Sequence, residues 1–324
     1  MKPATLEELE AACELVYQHL QPTPQIAWPL LAERCGCEVW VKHENHTPIG
    51  AFKLRGGLVY LGRLKHREPD VAGVISATRG NHGQSIALAA RLSGLPCAIV
   101  VPEGNSREKN NAMRAFGADL IVKGHDFQAA AEYTAELAAE RGFHFVPSFH
   151  PDLYTGVGTY ALEFFRGTPE LDAVYVPIGL GSGICGVISA RDALGLKTEI
   201  IGVTAEQAAA YALSFKQGKP VSTNSADTIA DGMACRVPNP HAVEIICAGA
   251  ARVITVNERE IAMAMRHYFT DIHNVAEGAA AAPLAGLLQE HGEMAGKRVG
   301  LILSGGNVDS CVFRDVLGME DQVS

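Results

Sequence analysis

Lys53 lies in the stretch His46-Thr-Pro-Ile-Gly-Ala-Phe-Lys-Leu-Arg-Gly-Gly57, just after an apolar strand pattern at 38–42. Pro48 and Gly50 break the chain and a helical pattern opens at Phe52. The lysine therefore falls on a strand-to-helix turn, where α/β proteins place their chemistry. An amine there is either a surface charge or a nucleophile that condenses with a carbonyl. Three further stretches supply what such a nucleophile would need. Ser76-Ala-Thr-Arg-Gly-Asn-His-Gly-Gln84 joins a strand to a helix, with Gly80 and Gly83 allowing close backbone approach. Its helix start offers unpaired N–H groups to an anion such as a carboxylate. Pro177-Ile-Gly-Leu-Gly-Ser-Gly-Ile-Cys-Gly186 is a second glycine-rich turn, able to cradle a phosphate through backbone amides. Its glycines at 179, 181, 183 and 186 do not follow GxGxxG, and it lacks the Lys-Ser/Thr of a triphosphate loop, so a cofactor monophosphate suits it better. Ser304-Gly-Gly-Asn307 puts a hydroxyl at the end of the last strand pattern, and Asp231-Gly232 and Glu277-Gly278 read as turn or cap signals.

The elements that must position these residues alternate. Leu6–Leu20 has helical spacing, and Pro22, Pro24 and Pro29 then mark an extended crossing. After Pro69 short apolar strands at 71–77, 97–101, 120–123 and 143–147 alternate with amphipathic helices at 84–93, 107–116 and 127–141. Helix 154–165, strand 173–178, helix 184–194 and strand 199–203 follow. Strand 252–256, helices 258–269 and 277–291, strand 298–303 and a closing helix complete the chain. This is an α/β pattern of parallel βαβ units in two lobes. Residues 69–150 form a small domain inserted in a larger one made of 1–68 and 151–324, with the ligand site between them.

Composition narrows the class. With 48% hydrophobic and 19% charged residues over 324 positions, the chain has ample core for a globular protein. A net charge of −9 disfavours nucleic acid and anionic membranes. No signal peptide and no membrane-length apolar run is found, and the eight scattered cysteines read as reduced core or near-core thiols, so a cytoplasmic location is expected.

Together, these stretches and their order resemble the fold-type II pyridoxal-phosphate enzymes (tryptophan synthase β-like), in the serine/threonine dehydratase and serine racemase branch. The resemblance covers nearly the whole chain. It implies pyridoxal 5'-phosphate held covalently by Lys53, which also moves protons at the substrate. It implies Phe52 flanking the ring, Asn81 on the ring hydroxyl, and Gly179, Leu180, Gly181, Ser182 and Gly183 around the phosphate. Ser304 would face the pyridine nitrogen. Thr78, Arg79, Gly80 and His82 would lie on the substrate side with Gly232, the 78–82 amides taking the substrate carboxylate and His82 shaping the turn. A homodimer is implied as well.

This chain departs from that pattern at three places. The serine that serves racemases as opposite-face base is Arg79 here, and a guanidinium cannot be that base. Thr204, Ala205, Ala208 and Ala210 stand where relatives build a divalent-cation site, so no such metal is expected. Phe149 falls on the substrate-side loop, which makes a bulky substrate such as 3-phenylserine a candidate. Arg79 pulls instead toward 3-hydroxyaspartate. No regulatory domain, and so no isoleucine feedback, is expected after the last helix. The expected activity is dehydration and deamination of an L-β-hydroxy-α-amino acid, threonine- or serine-like or bulkier. The alternatives are racemisation or a non-catalytic amino-acid- or nucleotide-binding module.

Overall fold

A computed structural model of the chain describes residues 2–125 and 127–319. The elements run α1 (Leu6–Val16), β1 (Gln25–Ala27), α2 (Pro29–Cys35), β2 (Glu38–His43), α3 (Lys53–Arg67) and β3 (Val74–Ala77). Next come α4 (Asn81–Leu92), β4 (Cys97–Val101), α5 (Arg107–Ala115), β5 (Asp119–Val122), α6 (Phe127–Arg141) and β6 (His144–Phe145). They continue with α7 (Pro151–Gly167), β7 (Ala173–Pro177), α8 (Ser182–Ala193), β8 (Glu199–Ala205), α9 (Ala210–Gln217) and α10 (Pro240–Gly249). The last are β9 (Arg252–Val256), α11 (Glu258–Ile272), α12 (Gly278–Gln289), α13 (His291–Met294), β10 (Arg298–Leu303) and α14 (Ser310–Leu317).

Two sheets result. One has six strands in the order β1-β2-β10-β7-β8-β9, the other four in the order β5-β4-β3-β6. All pairings are parallel except β1 with β2, which is antiparallel at the edge. The protein is thus α/β, as its alternating pattern implies. The central strands β3 and β4 are buried along their whole length, which is why they read as continuous apolar runs.

Prolines account for the main difference from the pattern expected of the sequence. The crossing at 22–29 contains an edge strand, β1, and Pro29 opens α2 at its first position, where its missing N–H costs nothing. Pro151 and Pro240 begin α7 and α10 in the same way. The short helices α9 and α10 are additions to the elements expected from the sequence. All eight cysteines are free, but Cys311 is exposed on α14 rather than in or near the core.

The helix that carries Lys53 is wedged in place by its two glycines. A Cβ on Gly56 would lie 2.7 Å from the Leu153 carbonyl oxygen of α7, and one on Gly57 would lie 2.3 Å from Ser85 Oγ of α4. Ser85 Oγ in turn donates to the Lys53 carbonyl at 2.6 Å. α3 therefore touches both α7 and α4 at its first two turns, and Lys53 opens toward the cavity beside them.

Candidate active site

Thr47 sets the turn before α3, its hydroxyl donating to the Ala51 carbonyl at 2.8 Å and accepting from the Ala51 N–H at 2.9 Å. The Phe52 N–H donates to the Ser304 carbonyl at 2.9 Å, which ties the turn to the end of β10. Lys53 is then the first residue of α3. Its Nζ donates to Ser182 Oγ at 2.9 Å and lies 4.9 Å from the Phe52 ring centroid. Burial pushes this amine down to about 8, and the Glu277 carboxylate only partly opposes the fall. A lysine so desolvated carries a useful neutral fraction near neutral pH, which an imine-forming nucleophile or a base requires.

The cavity in front of Lys53 has a volume of about 640 Å³. It is lined by Phe52, Thr78, Arg79, Gly80, Asn81, His82, Gly179 to Gly183, Gly232 and Ser304, so the structure assembles nearly all the residues expected from the sequence. Phe149 is the exception. Its ring packs on Tyr154 of α7, centroids 5.7 Å apart, and Ser148 lines the cavity instead. His150 explains the register, because its side chain caps α7 by accepting from the Asp152 N–H at 3.1 Å. With that cap in place, the apolar ring finds a core partner rather than a polar cavity wall.

The 78–82 turn is also more committed than the sequence implies. The Thr78 hydroxyl accepts from the Gly80 N–H at 3.1 Å and the Gly83 N–H at 3.3 Å, and the Thr78 N–H donates to Val100. The amides left for an anion are those of Arg79, Asn81 and His82. His82 is buried with Nε2 unpartnered. Burial, aided by Lys53, lowers it to about 3, so it stays neutral and does not titrate in any working range.

Asn81 is held from both sides, donating to Glu277 Oε1 at 2.7 Å and accepting from Asn307 Nδ2 at 2.9 Å. Glu277 and Lys109 are cavity residues that the sequence reading left as a cap signal and as part of an amphipathic helix. Lys109 Nζ stands 3.2 Å from Asp231 Oδ2 and 4.0 Å from Glu277 Oε2. Burial raises the Glu277 carboxyl against the pull of Lys109. Burial opposes the charge on Lys109, but Glu277 and Asp231 outweigh it and raise its pKa.

The second glycine turn fits a phosphate. Gly181 (φ 97°) precedes α8, whose first turn has no side-chain cap, so its N–H groups face the cavity end unpaired. A Cβ on Gly179 would lie 2.0 Å from the Gly232 carbonyl oxygen, so only glycine lets the two loops close on each other. Tyr211, unread in the sequence, braces the loop by donating to the Leu180 carbonyl at 2.8 Å.

The chain matches the family described as "Pyridoxal-phosphate dependent enzyme" over residues 16–305. It belongs to that family. Relatives include the L-threo-3-hydroxyaspartate ammonia-lyase of Saccharomyces cerevisiae, 34% identical over 96% of this chain and 95% of the relative. The L-threonine ammonia-lyase of Thermotoga maritima is 33% identical over 94% of this chain and 76% of the relative. Among solved structures, a pyridoxal 5'-phosphate-dependent aspartate racemase superposes with a TM-score of 0.89 at 30% identity, covering 94% of this chain and 96% of that one. Maize serine racemase gives 0.91 at 26% identity, covering 97% of each chain. The cofactor of this pyridoxal-phosphate enzyme fits the cavity residues: an amine with depressed pKa, an uncapped helix start behind glycines, and a buried hydroxyl at Ser304. Among the described residues no group of three His, Cys, Asp or Glu could hold a metal ion, and no helix is long and apolar enough to cross a membrane.

Proposed function

We propose that this enzyme, a pyridoxal-phosphate dependent ammonia-lyase of the threonine dehydratase kind, dehydrates and deaminates an L-β-hydroxy-α-amino acid. The observation that carries the reading is the half-buried Lys53 amine on the cavity wall, lowered to about 8 by desolvation and opposite an uncapped helix start. The relatives' names, ammonia-lyases for threonine and hydroxyaspartate, support it. The bound cofactor supplies an electron sink for the pair left when the α-hydrogen departs.

The chain's own residues do the rest. Lys53 would hold the cofactor, and its amine is the group placed to take the proton from Cα and return a proton to the departing hydroxyl, so that water leaves. The enamine that remains adds water and yields a 2-oxo acid and ammonia. Ser182 orients the Lys53 amine, and Gly179 to Gly183 with the α8 start would hold the phosphate. The Arg79, Asn81 and His82 amides take the α-carboxylate, and Phe52 flanks the ring. Asn81, set by Glu277 and Asn307, addresses the ring hydroxyl. Ser304, a buried hydroxyl on the cavity wall, would face the ring nitrogen, and a hydroxyl in place of a carboxylate would give no charge to hold a proton there, which suits elimination better than transamination.

The reading includes closure of residues 69–150 over the substrate. Support comes from links between the two sheet regions at α5, where Lys109 meets Asp231 and the Glu108 carboxylate accepts from the Ser310 N–H and hydroxyl at 3.0 and 2.6 Å. It also includes a cytoplasmic homodimer. Light scattering that returned the monomer mass would remove the dimer.

A screen of β-hydroxy amino acids for 2-oxo-acid release tests the function. The protein should be yellow, its visible band should vanish on borohydride treatment, and the reduced adduct should lie on Lys53. A colourless protein without turnover of any β-hydroxy amino acid sinks the reading. Chiral analysis of leftover substrate decides against racemisation if no D-enantiomer accumulates.

A further inference from the structure

We propose that Arg79 selects substrates whose β-carbon carries an anionic group, a carboxylate first, so that a β-hydroxy dicarboxylic amino acid is preferred over threonine or phenylserine. This rests on the dehydratase reading above and names the substrate class of the same site.

Most of the charged groups around the cavity are engaged by neighbours. Its cationic lining is Lys53, Arg79, Lys109 and Arg236. Lys53 is reserved for the cofactor, and Lys109 stands between Asp231 and Glu277. Arg236 and Arg79 are both exposed at the cavity rim, but Arg236 donates to the Asn224 carbonyl at 3.5 Å. Arg79 makes none of the hydrogen bonds or ion pairs recorded among the described residues, yet it lines the cavity.

Its backbone, by contrast, is held. Thr78 on one side is buried, and Gly80 on the other donates to the Thr78 hydroxyl. Gly80 also lies under the Lys109 stem, where a Cβ would come within 2.7 Å of Lys109 Cδ. The result is an anchored residue with an unengaged guanidinium, a planar fork whose N–H groups match a carboxylate in bidentate fashion.

The α-carboxylate of an amino acid is taken by the turn amides, so a second cation serves only a second anion. The apolar alternative has lost its main support, since Phe149 packs on Tyr154 away from the cavity. Asp227 lines the same cavity, and no recorded contact pairs it either. A competing arrangement therefore has Arg79 pairing with Asp227 when the site closes, which makes Arg79 a latch and not a selector.

The test compares L-threo-3-hydroxyaspartate with L-threonine, which offers a methyl group in place of the carboxylate, on the holoenzyme. Wild type should show the higher kcat/KM for hydroxyaspartate. Arg79→Gln should lower it by about 10- to 100-fold, mostly through KM, in line with loss of a charged hydrogen-bonded pair. The loss for threonine should be at least about tenfold smaller, and Arg79→Lys should restore part of the difference because it keeps the charge without the fork.

A binding readout stands apart from turnover. Succinate titrated into the holoenzyme and followed by its visible band should bind more weakly to Arg79→Gln by a similar factor, while butyrate should not discriminate. An equal loss for both amino acids, reproduced by Asp227→Asn, assigns Arg79 to the latch and overturns the proposal. So does a wild type that prefers threonine or phenylserine. If no β-hydroxy amino acid is turned over, the dehydratase reading fails, and the succinate and butyrate titrations still decide whether Arg79 recognises a second carboxylate.

Discussion

Lys53 and Arg55 are two residues apart on α3, the first half-buried and the second fully buried, and they are opposites. Arg55 is 0% exposed and lies against Glu44 at 2.7 Å and Glu163 at 2.6 Å, with Thr159 and Thr23 taking further donors. Lys42, also 0% exposed, joins the cluster 2.6 Å from Glu163. Burial opposes the charge on Arg55, and the two glutamates outweigh it, so its pKa rises. Lys53 has only the neutral Ser182 hydroxyl and a more distant carboxylate, and its pKa falls. Desolvation thus accompanies a locked structural cation in one place and a reactive, half-buried amine on the cavity wall in the other. What separates them is the presence of a counter-charge within contact distance.

This contrast can be broken at either end. The largest effect is expected at Lys53. Lys53→Ala removes the nucleophile, and steady-state assays should show kcat reduced at least about 1,000-fold, with the yellow colour gone. An undiminished rate would defeat the functional proposal outright. Next comes the paired end. Glu163→Ala leaves Arg55 and Lys42 with an uncompensated buried charge and should cost about 3–5 kcal/mol in urea unfolding. A loss under about 1 kcal/mol would show that the cluster is not held by pairing.

A subtler effect has the opposite sign. In the cofactor-free protein the Lys53 ammonium is buried at a penalty, because its pKa drops from 10.5 to about 8. At about 1.4 kcal/mol for each pH unit, this opposes folding by about 3 kcal/mol below pH 8. Both states are protonated there. Between pH 8 and 10.5 the unfolded chain binds the extra proton, so stability rises with pH and the penalty fades. Lys53→Met should therefore raise the Tm of the cofactor-free protein at pH 7, with the advantage shrinking toward pH 10.5. An advantage that does not change with pH would point to packing and not to charge. The smallest effect is expected at Phe149. Phe149 is only half-buried, so Phe149→Ala should cost less than the about 3–5 kcal/mol of a fully buried ring and leave the ratio of phenylserine to threonine turnover unchanged. A shifted ratio would return that ring to the substrate wall.

Much of the fold was legible because its signals are local. β4, α6, β9 and β10 fall where periodicity put them, since an apolar run or a helical stripe declares itself within a few residues. Pro29 misled for the same reason. A proline excludes a helix interior but permits a helix start, and the residues beside it do not say which. In the site, Lys53 and the two glycine turns stood out because their backbone demands are written in adjacent residues. Glu277, Lys109 and Asp231 did not. Each reads alone as a cap, a surface lysine or a turn, and they become one group only when α5, the start of α12 and the segment between α9 and α10 converge.

The sequence by itself determined an alternating α/β chain, a lysine at a strand-to-helix turn, and glycine loops with the shape of a phosphate cradle. Only the tertiary structure decided which charges are paired, which amides remain for an anion, and whether Ser148 or Phe149 faces the cavity. The reason is physical. Backbone conformation depends on neighbours a few positions away, whereas desolvation and charge pairing depend on groups brought together from across the chain, as Asn81 and Glu277 are across 196 positions.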